Sequence, residues 1–360
     1  MLRCAPAVFA AGRKYKITVC VKSESVVHVK IGDTVFSDHS NGILRSQSLI
    51  HTVEVPQELL DKEKRYTVIV RPVKERRAYF TKTKDERFYT YDFSPVETDE
   101  PVCYHIADSH NDSVNCVKAA KAYGKPDFLI LNGDVPEDSS EEKNFYTIYD
   151  ICAEITGGNI PVVFARGNHD LRGVSAESFG LYAPTLNGKT YYTFRLGKIW
   201  GIALDCGEDK PDDHPEYGHS VACSQFRREE TEYLKAVAES PETEYAEEEG
   251  LIKLVVVHMP FTHRFESPFD IEEETYRQWA YLLREYVKPD LMISGHTHGI
   301  GIYEPGGDYD DYGQPCKLII GAEVEKHKYF KGAGIKFKKD GADVTFTDSE
   351  GNSEKTYIEY

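Results

Sequence analysis

The chain has 360 residues, which is long for one hydrophobic core and points to two domains. With 40% hydrophobic and 29% charged residues it is neither membrane-embedded nor disordered in composition. Its 43 basic residues against 60 acidic ones leave a formal charge of −17, which repels a phosphate backbone and excludes bulk nucleic acid as a partner.

The N-terminus opens with a short apolar stretch, Ala5 to Ala11, followed at once by Arg13 and Lys14. That is short for a signal peptide, and no later run approaches membrane-spanning length. The expectation is a cytoplasmic protein without a membrane partner, although a secreted form that has lost its leader is compatible with the same stretch. Eight cysteines (Cys4, Cys20, Cys103, Cys116, Cys152, Cys206, Cys223 and Cys316) lie scattered with no C-x-x-C pair. Several sit in apolar runs, so they read as reduced core thiols rather than a disulfide framework.

The first hundred residues alternate with period two. Tyr15, Ile17, Val19 and Val21 share one face, and Val27-Val29-Ile31, Tyr66-Val68-Val70 and Phe88 to Tyr91 continue the pattern. Gly32-Asp33, Asn41-Gly42 and Asp61-Lys62 supply turns. Short, regularly spaced strands without long helices predict an all-β sandwich of immunoglobulin or fibronectin III type over residues 1–97. Phe93 to Pro101, with two prolines and three acids, is the expected linker.

From Val102 strands and helices alternate. Helical patterns fall near Ser113 to Tyr123, Glu141 to Ile155, Ser224 to Ala238 and Glu273 to Tyr286. Tyr191 to Asp205 reads as a hairpin turning at Gly197-Lys198. The tail from Cys316 is strand-like, with a turn at Lys339 to Gly341. The acidic run Glu242 to Glu249 reads as a solvated loop. Alternating β and α places the strands in a helix-covered sheet with ligands at the strands' carboxyl ends, so residues 98–360 form an α/β domain.

Five apolar runs in that domain end in metal-ligand residue types. Val102 to Ala107 ends in Asp108-Ser109-His110, and Phe128 to Leu131 in Asn132-Gly133-Asp134. Ile160 to Ala165 leads through Arg166 and Gly167 to Asn168-His169-Asp170. Leu251 to Val257 ends in His258, and Leu291 to Ser294 in Gly295-His296-Thr297-His298. One such ending is weak evidence; five together are a strong signal in the right structural context.

In that order the blocks resemble the calcineurin-like metallophosphoesterase pattern over roughly residues 102 to 300. The resemblance implies a four-layer α/β/β/α sandwich with a dinuclear metal site. Asp108, His110 and His298 would hold the first ion and Asn168, His258 and His296 the second, with Asp134 as bridge. Two such ions, about 3.5–4 Å apart, clamp the attacking and leaving oxygens of an in-line displacement, with a bridging hydroxide as nucleophile. The mixed nitrogen and oxygen shell suits manganese, iron, zinc or nickel better than calcium. His169 resembles the family's non-ligating histidine, a proton donor to the leaving oxygen, with Asp170 expected to orient it.

The layout, with a preceding β-sandwich, is also similar to purple acid phosphatases. This chain departs from them twice: it has Asp-x-His in place of Asp-x-Gly, and Val135-Pro136-Glu137-Asp138 offers no tyrosine ligand. Their charge-transfer colour is therefore not expected.

Arg166 is expected either to contact a phosphate oxygen or to form an ion pair at the sheet edge. Asp205 is a candidate second-shell residue. The loops Leu171 to Lys189 and Gly207 to His219 should set the substrate. Glu208, Asp209, Asp212, Asp213 and Glu216 would make the second an acidic rim that disfavours highly anionic substrates. The leading function is thus metal-dependent hydrolysis of a small phosphate mono- or diester. The alternative is a binding module on a degenerate phosphoesterase fold, which should have lost ligands; here all seven and His169 are present.

Overall fold

In a computed structural model, residues 1–245 and 249–360 are described. The principal element is a mixed 15-stranded sheet that bends back on itself at the hairpin Lys317–Glu325/Tyr329–Lys338. On one side of the bend, Val102–Ile106, Phe128–Asn132 and Pro161–Ala165 run parallel. On the other, Ile199–Leu204, Ile252–Val257 and Leu291–Ser294 do the same.

Period-two alternation sorts these strands' residues into layers. Cys103, Phe128, Ile130 and Val163 from the first side share one buried cluster with Ile199, Leu254, Val256 and Ile293 from the second. The intervening residues face outward. Tyr104, Leu129 and Phe164 pack against helices Ser113–Tyr123 and Tyr146–Thr156. Ile202, Val255 and Met292 pack against Cys223–Ala238 and Glu273–Leu282. The result is the expected helix–sheet–sheet–helix stack. Helix Ser113–Tyr123 illustrates the local reasons. Asp112 caps its first turn by accepting from the Asn115 amide at 3.1 Å, an interaction of about 1 kcal/mol, and Gly124 ends it. Cys116, Ala119 and Ala120 fall on the buried face.

The N-terminal part is all-β apart from helix Gln57–Glu63. A five-stranded sheet holds Ser25–Ile31, Thr34–Ser37, Arg65–Arg76, Thr81–Thr83 and Arg87–Asp92. Its inward Val27, Val29, Val68 and Val70 meet Tyr15, Ile17, Val53 and Val55. The expected separation of a sandwich over residues 1–97 from a second domain over 98–360 is corrected here. The stretch weighed as a leader is strand Ala7–Ala11, wholly buried and paired in parallel with Pro161–Ala165 (Val8↔Pro161, Phe9↔Val162). Strands Lys14–Cys20 and Ile50–Pro56 follow it, so half of the sandwich is the edge of the 15-stranded sheet. The reason is apolar area: one core cluster runs through both parts and is covered by neither alone. The Tyr66 hydroxyl, which donates to the Gly158 carbonyl at 2.8 Å, ties the same seam.

Of the acidic stretch expected as a loop, Pro241–Glu244 forms one helical turn, and residues 246–248 lie outside the described residues. Among the described residues no disulfide forms, and no helix is long and apolar enough to cross a membrane.

Candidate metal centre

The five parallel strand ends converge across the bend of the sheet. Asn132, fully buried, braces the two sides: its amide donates to the carbonyls of Val257 at 3.2 Å and Ile293 at 3.1 Å. Its own carbonyl accepts from His258 Nδ1 at 2.7 Å. Because a carbonyl only accepts, that bond places the His258 proton on Nδ1 and turns Nε2 inward. Nε2 then lies 3.2 Å from Asp134 Oδ2 and 3.8 Å from Asp108 Oδ1.

Asp108, His110, Asp134, His296 and His298 all adopt positive φ, between 43° and 69°. Left-handed non-glycine residues cost about 1–3 kcal/mol each and gather where function over-determines the backbone. The turns are held by direct bonds: His110 N donates to the Asp134 carbonyl at 3.0 Å, and His296 N to Asp108 Oδ2 at 2.8 Å. Two glycines permit the close approach. A Cβ on Gly133 would lie 2.6 Å from Gly167 Cα and from His258 Cγ, and one on Gly295 would lie 2.4 Å from Ala107 Cβ.

The side chains form neighbouring groups. Asp108, His110 and His298 each offer an atom within 4.8 Å of the others, as do Asp134, His258 and His296. His110 Nε2 and His298 Nε2 stand 3.2 Å apart, and Asn168 Oδ1 is 3.2 Å from His296 Nδ1. All seven ligand candidates are therefore brought together. Burial pushes the Asp108 carboxyl up to about 7 and the His110 and His296 imidazoles down to about 4. Burial would also lower His258, but Asp134 and Asp108 outweigh it and lift that imidazole to about 10. Conversely, burial raises Asp134 less than His258 and its other imidazole neighbours lower it, so it stays well below the usual carboxylate range. Converging imidazoles and carboxylates fit divalent cations, as does Asp108 Oδ1, buried with no hydrogen-bond partner.

A third group, His110, Glu137 and His169, is also compact. Both nitrogens of His169 are engaged, however: Nδ1 donates to the Glu137 carbonyl at 2.8 Å, and Nε2 accepts from Arg172 Nη1 at 2.8 Å. Glu137 also pairs with Lys326 at 2.8 Å. This group forms part of the wall of the centre, with both His169 nitrogens already bonded to protein groups.

Two expectations need correction, and Arg166 takes one of the two readings open to it. Asp170 does not orient the His169 ring. Its carboxylate is buried and accepts from the backbone N–H of Gly167 at 2.7 Å and Asp134 at 3.2 Å, because that turn leaves those donors facing inward. Ring orientation falls to Glu137 and Arg172. Arg166 forms the ion pair: its Nε donates to Asp205 Oδ2 at 2.7 Å, with its guanidinium between Phe179 and Phe226. The acidic rim is largely spent internally. Arg172 and Lys210 neutralise Glu208, Asp209 and Glu216, while Asp212 caps helix Cys223–Ala238 by accepting from Cys223 N at 2.9 Å.

Sequence reasoning missed Arg172 and the supporting roles of Glu137 and Asp209. The available signal was spacing, since Arg172 follows His169 by one short turn, His169–Leu171.

The profile described as calcineurin-like phosphoesterase matches residues 102–299. A search of curated proteins finds no match. Among solved structures, the chain is similar to the purple acid phosphatase PPD1 isolated from yellow lupin (Lupinus luteus) seeds, with TM-score 0.60 and 14% identity, over 100% of this chain and 75% of that one. At that identity the likeness is one of fold. A β-1,3-glucanase of GH family 64 from Paenibacillus barengoltzii aligns at TM-score 0.14 and 7% identity, over 29% of this chain and 27% of that one, and carries no argument.

Proposed function

This chain belongs to the calcineurin-like phosphoesterase family, and from that premise we propose that it hydrolyses small phosphate esters at a dinuclear centre. Asp108, His110 and His298 would hold one cation and Asn168, His258 and His296 the other, with Asp134 lying between the two groups. The observation that carries the reading is the convergence of seven ligand-type side chains from five strand ends, five of them on left-handed backbone. A degenerate binding module would have no reason to keep that strain. Manganese, iron, zinc or nickel fits this donor set. Bound there, such ions supply Lewis-acid polarisation of the phosphoryl group and activation of water.

The chain's own residues do the rest. Once released from Arg172, His169 Nε2 takes up a proton from solvent and the imidazolium passes it to the leaving oxygen, while Nδ1–H stays on the Glu137 carbonyl and fixes the ring plane. Asp170 keeps Gly167 N and Asp134 N in place, so the bridging carboxylate does not drift. The partner is a small ester rather than nucleic acid, consistent with the charge of −17.

The test is a panel of aryl phosphate monoesters and diesters, with metal-free protein reconstituted separately with each of the four metals. Chelator-sensitive turnover of at least one ester class supports the proposal. Two bound metals with no hydrolysis of any ester would favour the binding-module reading.

A further inference from the structure

We propose that Arg172 is the group through which this site grips a terminal phosphate, which makes phosphate monoesters its substrate class. The inference rests on the phosphoesterase reading above and deepens it.

The guanidinium is fixed along one edge. Its Nε lies 3.2 Å from Glu208 Oε1, and its Nη2 lies 3.2 Å from Glu208 Oε2 and 3.4 Å from Asp209 Oδ1. Both acids are buried, at 1% and 7% exposure, and both accept from the Tyr217 hydroxyl, at 3.1 and 3.0 Å. The remaining nitrogen, Nη1, is aimed away from this clamp at His169 Nε2, 2.8 Å away. Asp209 reaches on to the Asn168 amide at 3.3 Å, so the clamp and the ligand set form one connected unit.

Charge explains why this is more than a structural ion pair. An arginine beside a centre built for two cations is repelled by them. The fold offsets that repulsion with the buried carboxylates Glu208 and Asp209, the second shared with Lys210 Nζ at 3.4 Å, and still leaves Nη1 directed at His169. A neutral imidazole nitrogen is a weak acceptor for such a donor; a phosphate oxygen is a strong one, matched to guanidinium geometry. Nη1 therefore exchanges His169 Nε2 for a non-ester phosphate oxygen when substrate arrives. That same exchange frees the Nε2 lone pair to take up a proton from solvent and face the leaving oxygen.

Counting oxygens selects the ester. A monoester presents three non-ester oxygens and a diester two. Were each of two cations held here to take one of them, a donor beyond the centre would have an oxygen of its own only in the monoester.

The experiment compares metal-loaded wild type with Arg172→Ala and with the double variant Arg172→Met/Glu208→Gln, which removes the Arg172–Glu208 pair together and leaves Asp209 paired with Lys210. Inhibition by inorganic phosphate, KM and kcat for p-nitrophenyl phosphate and for bis(p-nitrophenyl) phosphate, and metal content are read for each. Loss of one charge-assisted hydrogen bond predicts about 10–100-fold weaker inhibition by phosphate and a similar loss of kcat/KM on the monoester. Loss of support for the His169 ring falls on both esters, so the monoester's loss of kcat/KM should exceed the diester's by about 10-fold or more. Should Arg172→Ala fail to fold or to hold metal, the double variant decides alone. Equal losses on both esters, unchanged phosphate inhibition, or a wild type that prefers the diester overturns the inference while leaving phosphoester hydrolysis intact. A wild type that hydrolyses neither ester with any metal overturns both readings.

Discussion

Asp209 holds the side-chain amide of Asn168: Nδ2 donates to Oδ2 at 3.3 Å, which turns the Asn168 carbonyl oxygen toward His296. An amide can present either oxygen or nitrogen to a cation, and only oxygen binds one. Asp209→Ala should therefore let the amide turn and weaken metal affinity by about 10–100-fold, the usual cost of losing such support. Titration of the apo protein with manganese or zinc would show this as loss of one tight site; two unchanged tight sites would refute it.

Asp134 stands between the two ligand groups, with Oδ2 3.2 Å from His258 and Oδ1 accepting from His169 N at 2.8 Å. Asp134→Asn removes the anion the two cations would share. We expect neither metal to survive dialysis, by elemental analysis, in a variant that still folds by circular dichroism. Retention of both metals with full activity would remove Asp134 from its bridging role.

His169→Ala should separate chemistry from metal binding. Both ring nitrogens are bonded to protein groups, so the metal content should stay the same while turnover falls by roughly 10²–10⁴-fold. The loss should shrink for nitrophenolate leaving groups, which need little protonation. Equal loss across leaving groups would assign the ring to charge stabilisation, and metal loss would make it a ligand.

Asp170 lies beside His169 in sequence but should behave differently. Asp170→Ala leaves two buried backbone donors, Gly167 N and Asp134 N, without their acceptor, at about 1–3 kcal/mol each. The expected phenotype is a lowered melting temperature, even without metal. A variant with unchanged stability and a leaving-group dependence like that of His169→Ala would restore its orienting role.

The seam at Ala7–Ala11 gives a prediction for truncation. Residues 98–360 expressed alone would expose the Pro161–Ala165 edge and the apolar face beneath it, and should aggregate. A soluble, cooperatively folding fragment would show that the catalytic part closes its own core.

The sequence was most legible where apolar runs end in polar turns, because a buried parallel strand and its ligand-bearing cap are contiguous in the chain. Helix Ser113–Tyr123 and hairpin Tyr192–Leu196/Ile199–Leu204 were similarly plain, since capping and turn residues mark their ends. Strand Ala7–Ala11 was not. It is buried along its whole length and does not alternate, so an apolar pentapeptide near the start resembles a leader more than a sheet strand. The left-handed backbone at Asp108, His110, Asp134, His296 and His298 leaves no local mark, because tertiary bonds impose it against propensity. Arg172 and Asp209 were illegible for another reason: loop charges look solvated until the partner loop is known, and here each is the other's partner.

The pairing of Ala7–Ala11 with Pro161–Ala165 also dictates how the protein is made. A ribosome releases the first strand early, yet its parallel neighbour emerges some 150 residues later, about 8–30 s at ordinary rates of synthesis. Through that interval the nascent chain carries an unpaired, wholly apolar strand edge, so its yield in a cell depends on shelter during translation. His258, His296 and His298 arrive later still, so the ligand cluster can assemble only after the strands on both sides of the bend have been made.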